Sequence, residues 1–168
     1  RYEVTGAVVA FSDVHRGAGV CAGLEPVELP SHDMTEAEKF SACVEAAERE
    51  LGRKDFVYLH AGLSDDVLHA PDVQDKVRAI ERFDAAVVGP ILTALAAHPS
   101  YRLLLVCDPG LEKAKGSDVP PILYALCDKV APAQAEAGKR FHERDASASG
   151  AGPRDATKLL ARLFPRGA

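Results

Sequence analysis

The chain has 168 residues, of which 47% are apolar and 27% are charged, and its formal net charge is −5. Such a chain is long enough to bury one full core, and we predict a single domain over residues 1–168. The negative charge argues against nucleic-acid binding, and the lack of any apolar run of roughly 18 residues argues against a membrane span.

The four cysteines are scattered without a C-x-x-C pair, which argues against a zinc ribbon and a thioredoxin-type motif. Cys107 and Cys127 stand in the apolar stretches "LLLVC" and "ILYALC", so we expect buried, reduced thiols there. The N-terminal residues lack the pattern of a signal peptide. Together these features predict a cytoplasmic protein.

Short apolar runs alternate with helical patterns in the first part of the chain. "AVVAF" (7–11) predicts a strand buried on both faces, and the Gly-rich "RGAGVCAGL" after it suggests a short helix before a strand at "PVEL". Thr35, with Glu38 three residues later, is the capping-box pattern and opens a helix through Leu51. "FVYLH" (56–60) predicts the next strand.

The longest helical pattern begins after Asp72, a typical N-cap residue, and we expect it to kink or break near Pro90. Its apolar residues recur at three- and four-residue steps, which predicts one stripe facing the core. The stripe comprises Val73, Val77, Ile80, Phe83, Val87, Ile91 and Leu95.

Two further strands are predicted at residues 101–108 and 120–126. The stretch "HERDASASGAGPRD" (142–155) is small and polar and predicts a loop, and "DATKLLARLF" (155–164) predicts a closing helix that Pro165 ends. The alternation of buried strands and helices indicates an α/β fold, a three-layer α/β/α domain with a largely parallel sheet.

Three of the predicted strands are followed by acids: Asp13, the pair Asp65 and Asp66, and Asp108. Because ligands of such folds bind at the carboxyl ends of the strands, we expect these acids to converge at one edge. Asp65 and His69 are four residues apart, so one helical turn would present an oxygen and a nitrogen ligand to Mn²⁺ or Zn²⁺, with Asp108 as a third ligand. The alternative is that they are solvated loop residues and that His69 begins the next helix.

Three other polar residues allow two interpretations each. His60 is either a buried neutral histidine or a substrate contact. Asp13 and Arg16 flank the end of the first strand, where an arginine beside a Gly-rich turn suits a phosphate. The alternative for Asp13 and Arg16 is a surface ion pair at a helix start.

The stretch "DFVYLHAGLSDDVLHAPDVQDKVRAIERFDAAVVGPIL" resembles the catalytic domain of cofactor-independent phosphoglycerate mutases, particularly the archaeal type, in the alkaline-phosphatase-like superfamily. The segment "FSDVHRGAGVCAGLEPVELP" is similar to that family too, and the resemblance covers roughly residues 5–125. It implies an alkaline-phosphatase-like core corresponding to the C-terminal part of the catalytic domain. The residues that fit the family pattern in register are Asp65, His69, Lys76, Ile80, Glu81 and Asp84.

The departures from the family pattern concern the metal ligands. The strand "LLLVCD" should end in Asp-His, but Pro109 follows Asp108, and Lys115 stands about where a further metal-binding histidine is expected. The resemblance places the nucleophilic serine and a first Asp ligand upstream of the matching region, and we expect the chain to lack both. Of the expected ligands only Asp65, His69 and Asp108 remain, so Lys115 is expected to neutralise them in part.

These residues leave three hypotheses about function. The first is a non-catalytic homologue of the family, a pseudoenzyme or interaction module with a degenerate pocket. The second is a metal-dependent phosphatase or phosphomutase whose nucleophile segment lies upstream or in a partner. The third is a module that binds small anions through Arg16 and the Gly-rich turn. We expect no tightly bound cofactor. If the remaining metal site works, we expect it to bind Mn or Zn. The expected partner is a small phosphorylated ligand or a protein.

Overall fold

The computed structural model describes residues 3–30, 33–62, 72–107, 122–129, 140–149, 155 and 158–164. The chain divides into two compact units, Arg1–His98 and Pro99–Ala168. The single domain over residues 1–168 stays a prediction.

The first unit contains a parallel sheet of three strands in the order β2-β1-β3. The described elements of this unit are β1 (Gly6–Ala10), α1 (Asp13–Cys21), β2 (Glu25–Pro26), α2 (Glu36–Leu51), β3 (Phe56–His60), α3 (Val73–Phe83), a π-helical turn (Asp84–Val88) and α4 (Gly89–Ala96). The predicted α/β class is therefore confirmed, and the strand at residues 56–60 has the bounds that the sequence predicted.

β1 is buried along its whole length because a helix covers each of its faces. Side chains alternate between the two faces of a strand. Ala7 and Val9 pack in one cluster with Cys43 and Ala46 of α2. Val8 points the other way, against Gly19 of α1. Helices therefore lie on both sides of the sheet, which is the predicted α/β/α layering.

Gly19 allows α1 to approach the sheet closely. A Cβ atom at this position would lie 2.7 Å from the Cβ and Cγ1 atoms of Val8, well inside van der Waals contact. Gly17, two residues earlier on the same helix, has no such neighbour within 4 Å. The Gly-rich sequence thus serves packing at one of these positions and leaves the other unconstrained.

The predicted helix starts are confirmed by their caps. Thr35 Oγ1 accepts a hydrogen bond from the Glu38 amide at 3.3 Å, and the Glu38 carboxylate accepts one from the Thr35 amide at 2.8 Å. This reciprocal pair satisfies amides that the first turn of α2 leaves without helical partners. The Asp72 carboxylate accepts a hydrogen bond from the Gln74 amide at 2.9 Å and opens α3.

The long predicted helix is divided by the π-helical turn, so its apolar stripe does not form one face. Val87, Ile91 and Leu95 are buried, whereas Val73 and Ile80 are 68% and 61% exposed. A π-helical turn contains more residues than an α-helical turn, so it rotates α4 about the helix axis relative to a regular continuation of α3. The expectation of one continuous buried stripe is wrong, and the expected break near Pro90 is confirmed.

In the second unit, β4 (Arg102–Val106) and β5 (Tyr124–Asp128) form a two-stranded antiparallel sheet with Leu104 opposite Leu126. The Arg102 Nε atom donates to an Asp128 carboxylate oxygen at 2.6 Å across one end of this pair. Both strands were predicted, but their antiparallel pairing was not. Among the described residues, the parallel strands are those of the first unit.

Two short helices complete the described part of the second unit, α5 (Glu143–Ala148) and α6 (Leu160–Leu163). The loop predicted for residues 142–155 is wrong in its first half, because the Nδ1 atom of His142 accepts a hydrogen bond from the Asp145 amide at 3.2 Å and caps α5. α6 lies inside the predicted closing helix.

All four cysteines lie within the described residues and are thiols, as predicted. The expected burial of Cys107 and Cys127 is wrong, since both are exposed. A two-stranded antiparallel sheet can leave one face to solvent, so apolar neighbours in sequence do not bury these side chains. Cys43, in contrast, is buried on the face of α2 that packs against β1, and its burial raises the pKa of the thiol to about 11.

Candidate functional site

The carboxyl ends of β1 and β3 lie side by side. Ala10 stands opposite His60 in the parallel register, so residues 11–12 and 61–62 leave the sheet together. In an open parallel sheet this is the edge at which ligands bind. The described residues of the candidate site lie at this edge of the sheet.

His60 forms a stacked pair with His15 from the first turn of α1. Their ring centroids are 3.5 Å apart and the ring planes differ by 15°. The Nδ1 atom of His15 lies 2.9 Å from the Ser12 hydroxyl oxygen, which fixes the imidazole against the end of β1. His60 is half-buried, and both interpretations of it from sequence, a buried histidine and a substrate contact, remain predictions.

A cleft of about 570 Å³ opens beside this histidine pair, between the strand ends and α2. Phe11, Met34 and Phe40 supply its apolar lining. Its polar lining includes Ser12, Lys39, His60 and Glu36. A volume of this size lies in the range of small-molecule sites, which are generally apolar with a few polar groups.

Lys39 brings a positive charge to the cleft. Its ammonium nitrogen lies 5.9 Å from the centroid of the Phe11 ring, a cation–π distance, and the side chain is half-buried. Among the described residues, no carboxylate forms an ion pair with Lys39, whereas Glu36 is paired with Arg82 at 3.6 Å.

Arg16 and Asp13, the residues predicted to contact a phosphate, do not pair with each other. The Arg16 Nη2 atom donates to a Glu28 carboxylate oxygen at 2.6 Å, beside a cavity of about 240 Å³ that lies next to β1 and β2. Asp13 is exposed in the first turn of α1. The ion pair expected as the alternative does not form between Asp13 and Arg16, because Arg16 pairs with Glu28, and the substrate-binding roles of Asp13 and Arg16 stay predictions.

The predicted metal ligands Asp65, His69 and Asp108, and Lys115, lie outside the described residues. Within the described ranges no group of three or more His, Cys, Asp or Glu side chains is arranged to hold a metal ion. The described residues therefore do not themselves fit a metal, and the metal set stays a prediction from sequence. Nor does any described helix combine the length and the apolar character needed to cross a membrane.

Sequence reasoning missed His15 and Lys39. Ser12 and His15 are three residues apart at a helix start, a spacing that brings side chains together. The contact between these two side chains was therefore detectable from the sequence. The position of Lys39 over Phe11 was not detectable, because the two residues come from different elements.

The α/β fold is consistent with a family that comparison of the sequence with known proteins identifies. Residues 18–116 match the model of the metalloenzyme superfamily, and the chain belongs to that family. This membership accords with the predicted alkaline-phosphatase-like core. No solved structure matches the chain significantly.

Within this family the chain is similar to 2,3-bisphosphoglycerate-independent phosphoglycerate mutases, which confirms the resemblance seen in the sequence. The relative from Methanothrix thermoacetophila is 36% identical over 127 residues, covering 74% of this chain and 32% of the relative. A probable mutase of this type from Geobacter sulfurreducens is 31% identical over 170 residues, covering 99% of this chain and 42% of the relative. The chain thus spans about a third to two-fifths of the length of these relatives.

Proposed function

We propose that this chain is a degenerate, non-catalytic homologue of the cofactor-independent phosphoglycerate mutases, which keeps the fold of the family and not its metal chemistry. The observation that carries the proposal is the identity of two residues. Pro109 and Lys115 stand where the family resemblance places metal-binding histidines.

The chemistry of these two side chains argues against a working two-metal site. Proline offers no side-chain ligand atom, and an ammonium group is a cation that repels an incoming divalent ion. A phosphoryl-transfer site of this type uses its metal ions to stabilise both the attacking and the leaving oxygen. With Asp65, His69 and Asp108 as the remaining ligands, the proposed site binds Mn²⁺ or Zn²⁺ weakly.

The environment of Arg16 bears on the third hypothesis, anion binding. The guanidinium group that would suit a phosphate is bonded to Glu28 at 2.6 Å, and the Glu28 side chain is 83% exposed. An exposed ion pair of this kind contributes about 0–1 kcal/mol, so it does not exclude a phosphate, but it lessens the support for the third hypothesis, anion binding through Arg16.

A metal-dependent phosphomutase or phosphatase is the second candidate. Membership of the metalloenzyme superfamily favours it, together with the retention of Asp65, His69 and Asp108 in the sequence. For this candidate the active protein would supply its nucleophile from another segment or from a partner. Its substrate would be a small phosphorylated molecule, and its location in the cytoplasm stays a prediction.

The test is a coupled assay with 2- and 3-phosphoglycerate and Mn²⁺, on the chain and on the complete product of its gene. We expect background rates from both. Turnover above about 1 s⁻¹, the lower end of ordinary enzymes, from either protein would favour the second candidate and contradict the proposal.

A metal titration tests the cause of the expected inactivity. Millimolar Mn²⁺ should raise the melting temperature of the unmodified chain little, whereas the double variant Pro109→His, Lys115→His should bind Mn²⁺ and show a clear shift. A ligand at 100 times its Kd contributes about 2.7 kcal/mol, which a thermal scan detects readily. Lys113→His is the matched control, since it adds a histidine beside the expected position. A large shift with the unmodified chain that Asp65→Ala abolishes would show that the metal site still works.

A further inference from the structure

The cleft between the strand ends and α2 combines three features that the proposed function does not use. It has aromatic side chains in its lining, a lysine without an ion-pair partner among the described residues, and a hydroxyl with a neighbouring imidazole. All of these residues belong to the first unit.

The aromatic side chains of the lining are those of Phe11 and Phe40. Phe40 is 4% exposed and is held in place by the ring of Phe83, whose centroid lies 5.6 Å away at an interplanar angle of 87°. Edge-to-face packing of this kind fixes a ring and leaves little rotational freedom. Together with Met34, these rings give the cleft an apolar lining against which an apolar group can pack.

The charge of the cleft favours an anion. Glu36, the carboxylate at its rim, is paired with Arg82 at 3.6 Å, so its charge is partly compensated. The Lys39 ammonium has only the face of Phe11 as a partner in the described structure, 5.9 Å from the ring centroid. A cation held at the edge of an apolar cleft gains more from a bound anion than one that is fully solvated, because water screens the pair less.

Ser12 and His60 complete the polar side of the cleft. The Ser12 oxygen is 2.9 Å from His15 Nδ1, and His15 stacks on His60 at 3.5 Å, so the three side chains hold one another at the strand ends. A hydroxyl and an imidazole fixed in this way can donate hydrogen bonds to the oxygens of a bound anion.

We propose that this cleft binds a small organic anion that carries an aromatic or other flat apolar group, with Lys39, Ser12 and His60 at the anionic head and Phe11 and Phe40 against the apolar body. The head is a carboxylate or a phosphate monoester, since both offer the same oxygen acceptors. The proposal does not depend on whether the chain catalyses a reaction, and it requires no metal ion.

The test is isothermal titration calorimetry of the full chain with phenyl phosphate, phenylacetate and inorganic phosphate. We expect phenyl phosphate or phenylacetate to bind with a Kd of about 1 mM or tighter and inorganic phosphate at least about tenfold more weakly, because the inorganic ion lacks the apolar body. The aromatic anion that binds more tightly identifies the head group.

Three variants locate the site. Lys39→Gln should weaken binding of the aromatic anion by about tenfold or more, and Lys39→Arg, which keeps the charge, should retain most of it. Lys129→Gln is the matched control, because the Lys129 ammonium also lies over an aromatic ring, 5.8 Å from the centroid of Tyr101, in the second unit. The Lys129→Gln variant should bind the aromatic anion with the same affinity as the unmodified chain.

Two outcomes would overturn the proposal: binding of neither aromatic anion at 10 mM, about ten times the expected Kd, or binding that Lys39→Gln leaves unchanged. Circular dichroism of each variant confirms that it is folded, and the half-exposed position of Lys39 on a helix makes the substitution mild. If Lys39→Gln nevertheless unfolds, Ser12→Ala provides the same test at another residue proposed to contact the anionic head, with weakened binding expected and unchanged binding contradicting the proposal.

Discussion

Thr5 and Asp55 bond to each other reciprocally at the amino ends of β1 and β3. One oxygen of the Asp55 carboxylate accepts from the Thr5 amide at 2.8 Å and from the Thr5 hydroxyl at 2.7 Å, and the Asp55 amide donates to the Thr5 hydroxyl at 3.3 Å. The pair fastens two strands that are 50 residues apart in the sequence, at the end of the sheet opposite to the cleft.

This pair predicts an acid-sensitive contribution to stability. The hydrogen bonds from Thr5 favour the charged carboxylate, so they hold the pKa of Asp55 below its ordinary value of 3.8. Because the folded-state pKa is the lower one, the stabilisation is fully present above 3.8 and is lost as the pH falls through the folded-state value. Asp55→Asn should therefore reduce the loss of stability on acidification. The loss of stability is measured by urea unfolding at pH 7 and at pH 3, the latter about one unit below the ordinary Asp pKa.

Glu48→Gln is the control for this experiment, since Glu48 is exposed on α2 and is not one of the groups that bond across the strands. A pH dependence that changes equally in both variants would argue against a specific role of Asp55.

Gly19→Ala should destabilise the chain by about 1–3 kcal/mol, the usual cost of overpacking. The added methyl group would lie 2.7 Å from Val8, so α1 must move away from the sheet. Gly17→Ala, on the open side of the same helix, should instead stabilise it by up to about 1 kcal/mol through helix propensity. Denaturant unfolding of the two variants gives the comparison, and equal effects would show that α1 does not pack as described.

Val8→Ala combined with Gly19→Ala should recover only part of the loss, because it removes the Cγ1 and Cγ2 atoms at 2.7 and 2.8 Å but keeps the Cβ atom of residue 8 at 2.7 Å. Absence of this coupling in a double-mutant cycle would mean that the cost of Gly19→Ala arises elsewhere.

His15→Ala should lower the free energy of unfolding by about 0.5–1.5 kcal/mol, the range for stacked aromatic pairs, whereas His15→Phe should keep most of it. The ring protons of His60 report the same contact in NMR spectra, because the stacked ring at 3.5 Å shields them. We expect these signals to move downfield in His15→Ala. Signals that do not move would place the two rings apart in solution.

Deletion of Ala85 should be tolerated within about 1 kcal/mol. Ala85 is exposed in the π-helical turn, and removing one residue converts the wide turn into an α-helical one while the flanking helices keep their relative orientation. Deletion of Ala94 in α4 is the control, since it turns the buried Leu95 by about 100° and should cost several kcal/mol. Thermal unfolding of both deletions checks this, and a severe loss in the first would contradict the assignment of the turn.

The local elements were predictable because their signals are contained in a few neighbouring residues. The capping box of Thr35 and Glu38, the N-cap Asp72 and the strand at residues 56–60 each depend on contacts within one turn or one strand. For the long helix, the sequence predicted a break near Pro90, but it did not predict that the break takes the form of a π-helical turn at residues 84–88. A regular α-helix would align Val73 with Val87, and the sequence shows no proline or glycine within the π-helical turn that breaks the alignment.

The candidate site was predictable only as a place in the fold. The parallel order of β1 and β3 puts Ser12 and His60 at the carboxyl edge of the sheet, the kind of edge at which the sequence predicted a site. The stacking of His15 on His60 and the pairing of Arg16 with Glu28 depend on how α1 and β2 lie against β1, which no local pattern encodes. The partner of Arg16 comes from 12 residues away, so spacing rules for helices could not identify it.

Because of the π-helical turn, α4 packs against the core more extensively than α3 does. α4 is held by buried Ile91 and Leu95, whereas α3 presents Val73 and Ile80 to solvent and contacts α2 through Phe83 and Arg82 near its carboxyl end. Stability within a protein varies with such local differences in buried contacts. The amino-terminal turns of α3 are therefore expected to open and exchange their amide hydrogens without unfolding of α4. The helix that the sequence pattern predicted as one amphipathic unit thus consists of two segments that open separately when the protein is partly destabilised.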